Sequence, residues 1–168
     1  MQAMIQPFQQ ICNELTVLIS KWERTLLSQP EKIITSRKNS QNRSIRQIVG
    51  HMVDSASNNI HRVIHMHYQS SPIKYPDYAN LGNNDRWIAI QNYQEEDWND
   101  LVGLWVSLNR HMVHLIKQVD VSKLDQYWIS ALNEPVTLRE MITDYPRHFK
   151  LHLDEISALI NQLTIEHD

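Results

Sequence analysis

The chain has 168 residues, 42% of them hydrophobic and 21% charged, which fits one soluble domain able to bury roughly two-thirds of its surface and excludes a disordered chain. Its net charge of −3 leaves no basic footprint for nucleic acid, and no apolar run approaches the about 18 residues of a membrane span. The lone cysteine, Cys12, excludes an internal disulfide framework and suits a reducing compartment.

With only three glycines and six prolines, tight turns are scarce and long helices are favoured. The start, Met1-Gln2-Ala3-Met4, lacks the basic and apolar stretches of a signal peptide, so a cytoplasmic location is expected. The first predicted helix runs from about Ile5 to Leu27, with Pro7 in its first turn and an apolar stripe through Phe8, Ile11, Leu15, Leu18, Trp22 and Leu26. A polar connection follows, from Gln29 to Arg43. Ser44 and Gln47 have capping-box spacing and open a second helix to about Tyr68, with Ile45, Ile48, Met52, Ala56, Ile60 and Val63 on its apolar side. The third helix is expected to begin at Glu95-Glu96-Asp97, acids that complement the positive end of a helix dipole, and to bury Trp98, Leu101, Trp105, Leu108, Met112, Leu115 and Val119. A second capping box, Thr137 to Glu140, opens a fourth helix to about Leu163, with Leu138, Met141, Tyr145, Phe149, Ile156 and Leu159 inward.

Four such helices, with no segment of strand period, predict an all-α, four-helix bundle occupying 1–168 as one domain. The connection from Gln69 to Gln91, which carries Pro72, Pro76, Tyr75, Tyr78 and Trp87, is longer than ordinary loops and can run back along a helix of ~35 Å. The second and third helices are therefore expected to be parallel and joined by a crossover, with the aromatic connection lying over one mouth of the bundle.

Nine histidines are the main chemical signal. His148 and His152 are one turn apart on the fourth helix, a spacing that can hold one divalent cation. They share a stripe with Met141, Tyr145, Glu155 and Leu159, so they point into the bundle, where buried imidazoles need partners. A third ligand must come from another helix. The second helix offers His51 near its start, on a polar stripe with Ser55, Asn58, Arg62 and His65. It also offers the pair His61 and His65 near its end. His51 and His65 are fourteen residues apart, about 21 Å along the axis, so one end or the other supplies the ligand. Asp54 could orient an imidazole or bond a metal-bound water, Glu155 could act as a base, and either could be a surface acid. His111 and His114 read as surface features, and His167 has no role. Pro146, inside the fourth helix, can kink it or shorten it.

The segment His51-Met52-Val53-Asp54-Ser55-Ala56-Ser57-Asn58-Asn59-Ile60-His61-Arg62 resembles the second-helix motif of the DinB-like superfamily, closest to its YfiT-type branch, with a pattern near HxxDSxxNxxxR. Thr137-Leu138-Arg139-Glu140 and His148 to His152 resemble the fourth-helix TLxE and HxxxH of that family, and Asn84-Asp85-Arg86-Trp87 is similar to its DRW-like stretch. The resemblance implies a four-helix bundle with a crossover between helices two and three. It implies one divalent metal, zinc or nickel, on His51, His148 and His152, with Asn58 and Arg62 facing the cavity and Asp54 as the motif's acid. It also implies dimers, and activities that are either metal-dependent transfer of a low-molecular-weight thiol, such as bacillithiol or mycothiol, or metal-dependent hydrolysis.

A three-histidine site leaves a coordination position open, the catalytic arrangement for zinc. Three functions follow: a metal-held thiolate attacking a small electrophile, with Arg62 and Asn58 gripping its polar groups; a metal-bound hydroxide hydrolysing a bond; or a metal- or ligand-binding bundle without turnover. The expected partners are a small-molecule substrate and a second copy of the chain, with no nucleic acid and no membrane.

Overall fold

Apolar residues recurring at three- and four-residue intervals build the long helices and decide which faces pack. The computed structural model describes residues 8–76, 78 and 82–162. Helix α1 spans Gln9–Leu27 and buries Cys12, Leu15, Ile19, Trp22 and Leu26. Its expected start at Ile5 and Pro7 lies outside the described residues. The buried stripe takes Cys12 and Ile19, whereas Ile11 and Leu18 are only partly buried, a rotation of the expected face by part of a turn.

The polar connection holds an unexpected short helix, α2 (Glu31–Ser36), anchored by the buried Ile34. Helix α3 (Ile45–Tyr68) begins at the expected capping box, with Ser44 and Gln47 bonding each other's backbone N–H. All six residues of its expected stripe are buried.

Next comes helix α4 (Asn83–Gln91), within what was expected to be an aromatic loop. A 3₁₀ turn at Tyr93–Glu95 follows it. Helix α5 (Trp98–Lys117) starts one step later than expected: Glu95 and Glu96 precede it, and Asp97 alone caps it through the N–H groups of Asn99 and Asp100. A side-chain acceptor satisfying two free N–H groups fixes the start more sharply than dipole-complementing charge does.

The expectation of no strands is corrected by a small hairpin, β1 (Tyr127–Ile129) and β2 (Pro135–Thr137), paired antiparallel. Three-residue strands are too short to show alternation in sequence. Ile73 adds a parallel bridge to Trp128, tying the crossover to this hairpin. Helix α6 (Leu138–Ile160) starts at the second expected capping box and runs through Pro146 without a break. Leu163, its expected end, lies outside the described residues.

Contacts at the helix ends give the directions. Arg46 of α3 bonds the Glu96 carbonyl and lies 5.8 Å from the Trp98 ring. At the other end, His67 accepts from the Asp120 N–H at 3.2 Å. Helices α3 and α5 are therefore parallel, as the crossover requires. Helix α1 runs opposite to α5: the Trp98 indole N–H donates to the Leu26 carbonyl at 3.1 Å, while Cys12 sits beside Val113. Helix α6 also opposes α5, with Phe149 stacked on Trp105 at 5.6 Å and the Tyr145 hydroxyl donating to Asn109 at 2.8 Å. No described helix is long and apolar enough to cross a membrane.

That last contact carries a stability prediction. Asn109 is 1% exposed, and its amide also donates to the Trp105 carbonyl at 2.7 Å. Asn109→Ala strands the buried Tyr145 hydroxyl and is expected to destabilise by about 1–3 kcal/mol in urea unfolding. In a Tyr145→Phe background the same change should cost markedly less. Equal costs in both backgrounds would refute the coupling.

Candidate metal centre

The first turns of α3 carry His51, and the middle of α6 carries His148 and His152 on adjacent turns. Because α3 and α6 pack together, the three rings meet inside the bundle. Centroids of His51 and His152 are 4.7 Å apart, those of His148 and His152 are 4.6 Å apart, and those of His51 and His148 are 6.1 Å apart. One ring nitrogen from each lies within 4.8 Å of the others. His51 and His152 are buried and His148 is half-buried. The choice left open by spacing falls to the start of α3: His61 is exposed on another face, and His65 packs on Tyr75 and Tyr68.

Electrostatics keep the imidazoles of His51 and His148 neutral. Burial, then the neighbouring His152, Arg43 and His148, push His51 down to about 3. Burial, His152 and Arg147 push His148 down to about 4. The outer nitrogens have partners. Nδ1 of His152 is 2.9 Å from a Glu155 oxygen, so the acid considered as a base sits behind a candidate ligand. Nδ1 of His51 is 2.7 Å from the Tyr78 hydroxyl.

This geometry fits a divalent cation. With the Nδ1–H of His152 directed at Glu155, its Nε2 presents a lone pair. Nε2 of His148 lies 3.2 Å from it. Two nitrogens on one tetrahedral zinc, each at about 2.0–2.1 Å, are separated by roughly 3.3 Å. Two lone pairs at that distance repel unless a proton or a cation lies between them.

Above the histidines opens a cavity of about 690 Å³. Its α3 wall is polar, formed by Ser55, Asn59 and Arg62; its other walls include Trp128, Val136, Thr143, Asp144 and Tyr145. Arg62 is 9% exposed, lies 4.2 Å from the centre of the Trp128 ring, and donates to Asn59 at 3.2 Å. Stacking holds the guanidinium plane in place.

The remaining expected residues are placed as follows. Asn58 donates to the Asp54 carbonyl at 2.8 Å and lines a second cavity of about 410 Å³, beside His61, His65, Tyr75 and Trp87. It is Asn59 that lines the cavity over the histidines. Asp54 is 2% exposed and accepts from the Tyr93 hydroxyl at 2.6 Å and the Gln91 amide at 2.7 Å. Burial pushes its carboxyl up, opposed by these two bonds. It ties α3 to the segment that precedes α5, and no hydrogen bond from it to His51 is found among the described residues. His111 and His114 stack on the outer face of α5 at 6.0 Å; His167 lies outside the described residues. Cys12 is buried between α1 and α5, and burial pushes its thiol up. Sequence reasoning missed Tyr78, Asn59 and Trp128 as site residues. Only the aromatic character of the long connection hinted at Tyr78.

No family model matches the chain, and no curated protein matches it by sequence. Among solved structures, YfiT from Bacillus subtilis, described as "a probable metal-dependent hydrolase with an unusual four-helix bundle topology", aligns with a TM-score of 0.80. The alignment covers 95% of this chain and 89% of that chain at 16% sequence identity. At that identity the likeness is one of architecture, and it agrees with the parallel α3–α5 pair and its crossover: this chain has the four-helix-bundle fold that YfiT also has.

Proposed function

We propose that this protein is a divalent-metal-dependent enzyme acting on a small molecule, and that it transfers a low-molecular-weight thiol to an electrophile. The observation that carries the metal is the convergence of His51, His148 and His152 at the base of a cavity. Imidazole ligands suit zinc and nickel alike. A divalent ion bound there would supply Lewis acidity, favouring the thiolate over the thiol, or activating water if the reaction is hydrolysis.

The chain's own residues do the rest. Arg62, held on Trp128, offers a flat, permanently charged fork for a carboxylate or phosphate of the incoming molecule. Ser55 and Asn59, on the same wall, add neutral hydrogen-bonding groups. Asp54 and Asn58 act through position: they brace α3 and the segment at Gln91–Tyr93, and neither lines the cavity over the histidines. Among the described residues lining that cavity there is no cysteine to act as nucleophile, which supports a nucleophile brought in from outside. In thiol transfer the thiol gives up its proton, its sulfur bonds the electrophilic carbon, and the leaving group departs with the bonding pair.

Hydrolysis is the second reading, favoured by the description given to YfiT. Metal-loaded protein should be assayed with an activated aryl halide and with aryl esters, each with and without cysteine as a model thiol. Conjugate formed only with thiol is the expected result. Ester cleavage independent of thiol would establish the hydrolase instead. Bound metal without turnover on either panel would leave a binding bundle.

A further inference from the structure

Tyr78 stands behind His51, its hydroxyl 2.7 Å from Nδ1. We infer that the Tyr78 hydroxyl is a positioning group that fixes His51 with its proton on Nδ1, leaving the Nε2 lone pair directed at His148 and His152. This rests on the metal reading above and adds an outer partner to it.

The argument is one of donors and acceptors. The Tyr78 oxygen lies 2.7 Å from Nδ1 of His51 and 3.2 Å from the carbonyl oxygen of the same residue. Of these two neighbours the carbonyl can only accept, whereas Nδ1 can either accept or donate, so the hydroxyl proton is assigned to the carbonyl. The hydroxyl's remaining capacity is as an acceptor, and Nδ1 must supply the hydrogen. A neutral imidazole carries one N–H, so Nε2 is then bare. That is the form a metal ligand needs, and a bond to the other nitrogen is what selects it. Glu155 does the same for His152 from the opposite side.

Tyr78 itself is held rather than floating. It is 4% exposed. Its ring is stacked near His51 at 6.0 Å and meets Trp87 of α4 edge-on at 5.1 Å. Helix α4 is in turn pinned through Asp85 to Arg43 and through Gln91 to Asp54. Among the described residues, Tyr78 is thus a side chain through which the crossover reaches His51. Tyr75, three residues earlier, donates instead to the Arg62 carbonyl at 3.2 Å and lines only the second cavity, which makes it a matched control.

The test compares wild type, Tyr78→Phe and Tyr75→Phe. In metal-free protein, long-range ¹H–¹⁵N spectra of the imidazoles report the tautomer directly. Wild type and Tyr75→Phe should show His51 protonated on Nδ1, and Tyr78→Phe should shift toward the Nε2–H form. Zinc affinity, measured by competition with a chromophoric chelator, should fall about 10–100-fold in Tyr78→Phe and stay unchanged in Tyr75→Phe. A purely packing role for Tyr78 would leave the tautomer unmoved. An Nε2–H form in wild type, or unchanged tautomer and affinity in Tyr78→Phe, overturns the inference. If wild type binds no zinc, the metal reading fails by itself, and the tautomer spectra still decide the role of Tyr78.

Discussion

Gly50→Ala is expected to destabilise the protein by roughly 3–5 kcal/mol, by overpacking and the loss of a buried hydrogen bond. A Cβ at this position would stand 2.1 Å, 2.3 Å and 2.5 Å from three ring carbons of Tyr93. Tyr93 is 2% exposed, so its ring cannot swing aside without losing its burial. Its hydroxyl also holds Asp54 at 2.6 Å, and displacement would leave that buried carboxyl short of a donor. At an ordinary helical glycine the sign reverses. Gly103, in α5, has nothing among the described residues within 4 Å of the added carbon, and Gly103→Ala should stabilise by about 0.5–1 kcal/mol. Urea unfolding of both variants gives the contrast. In a Tyr93→Ala background the Gly50→Ala penalty should largely vanish; an equal penalty in both backgrounds would show that the ring is not its cause.

The second large effect is on metal content. Protein purified without an affinity tag is expected to carry one equivalent of a divalent metal by mass spectrometry. His51→Ala and His148→Ala should lose it, with affinity down at least about 100-fold, beyond the 10–100-fold typical of a lost outer partner. His61→Ala should not, since His61 lies on another face of α3. Metal that binds only the native state also stabilises it. At a thousand times Kd the gain is about 4 kcal/mol, which for a chain of this size raises Tm by about 8–16 °C. That shift should be present in wild type and in His61→Ala, and absent in the two ligand variants. No metal in wild type even after reconstitution would sink the enzymatic reading and make the three imidazoles a structural polar core.

Much of the architecture is legible in the sequence because helices announce themselves locally. A repeat of three and four residues places the apolar faces of α1, α3, α5 and α6, and two capping boxes mark the starts of α3 and α6. The length of the connection after Tyr68 is enough to allow a crossover. The one-turn spacing of His148 and His152 follows from helix geometry. Each of these depends on residues close together in the chain, where physical chemistry acts without knowledge of the rest.

What only the tertiary structure decides involves residues far apart. The choice of His51 over His61 and His65 depends on which turn of α3 faces α6, and that is set by packing. Asn58 and Asn59 are neighbours in sequence, yet the rotation of α3 gives the first to one cavity and the second to the other. Asp54 reads as a site acid, but Tyr93 and Gln91 claim its buried oxygen. Tyr78, in an irregular segment with no period, reaches His51 only because the crossover folds back over the bundle. Helices α2 and α4 and the β1–β2 hairpin are too short to nucleate alone and exist because the bundle covers one side of each. Local periodicity thus determined the helices and the candidate ligands, while long-range packing determined which side chains stand behind those ligands and which face the cavity.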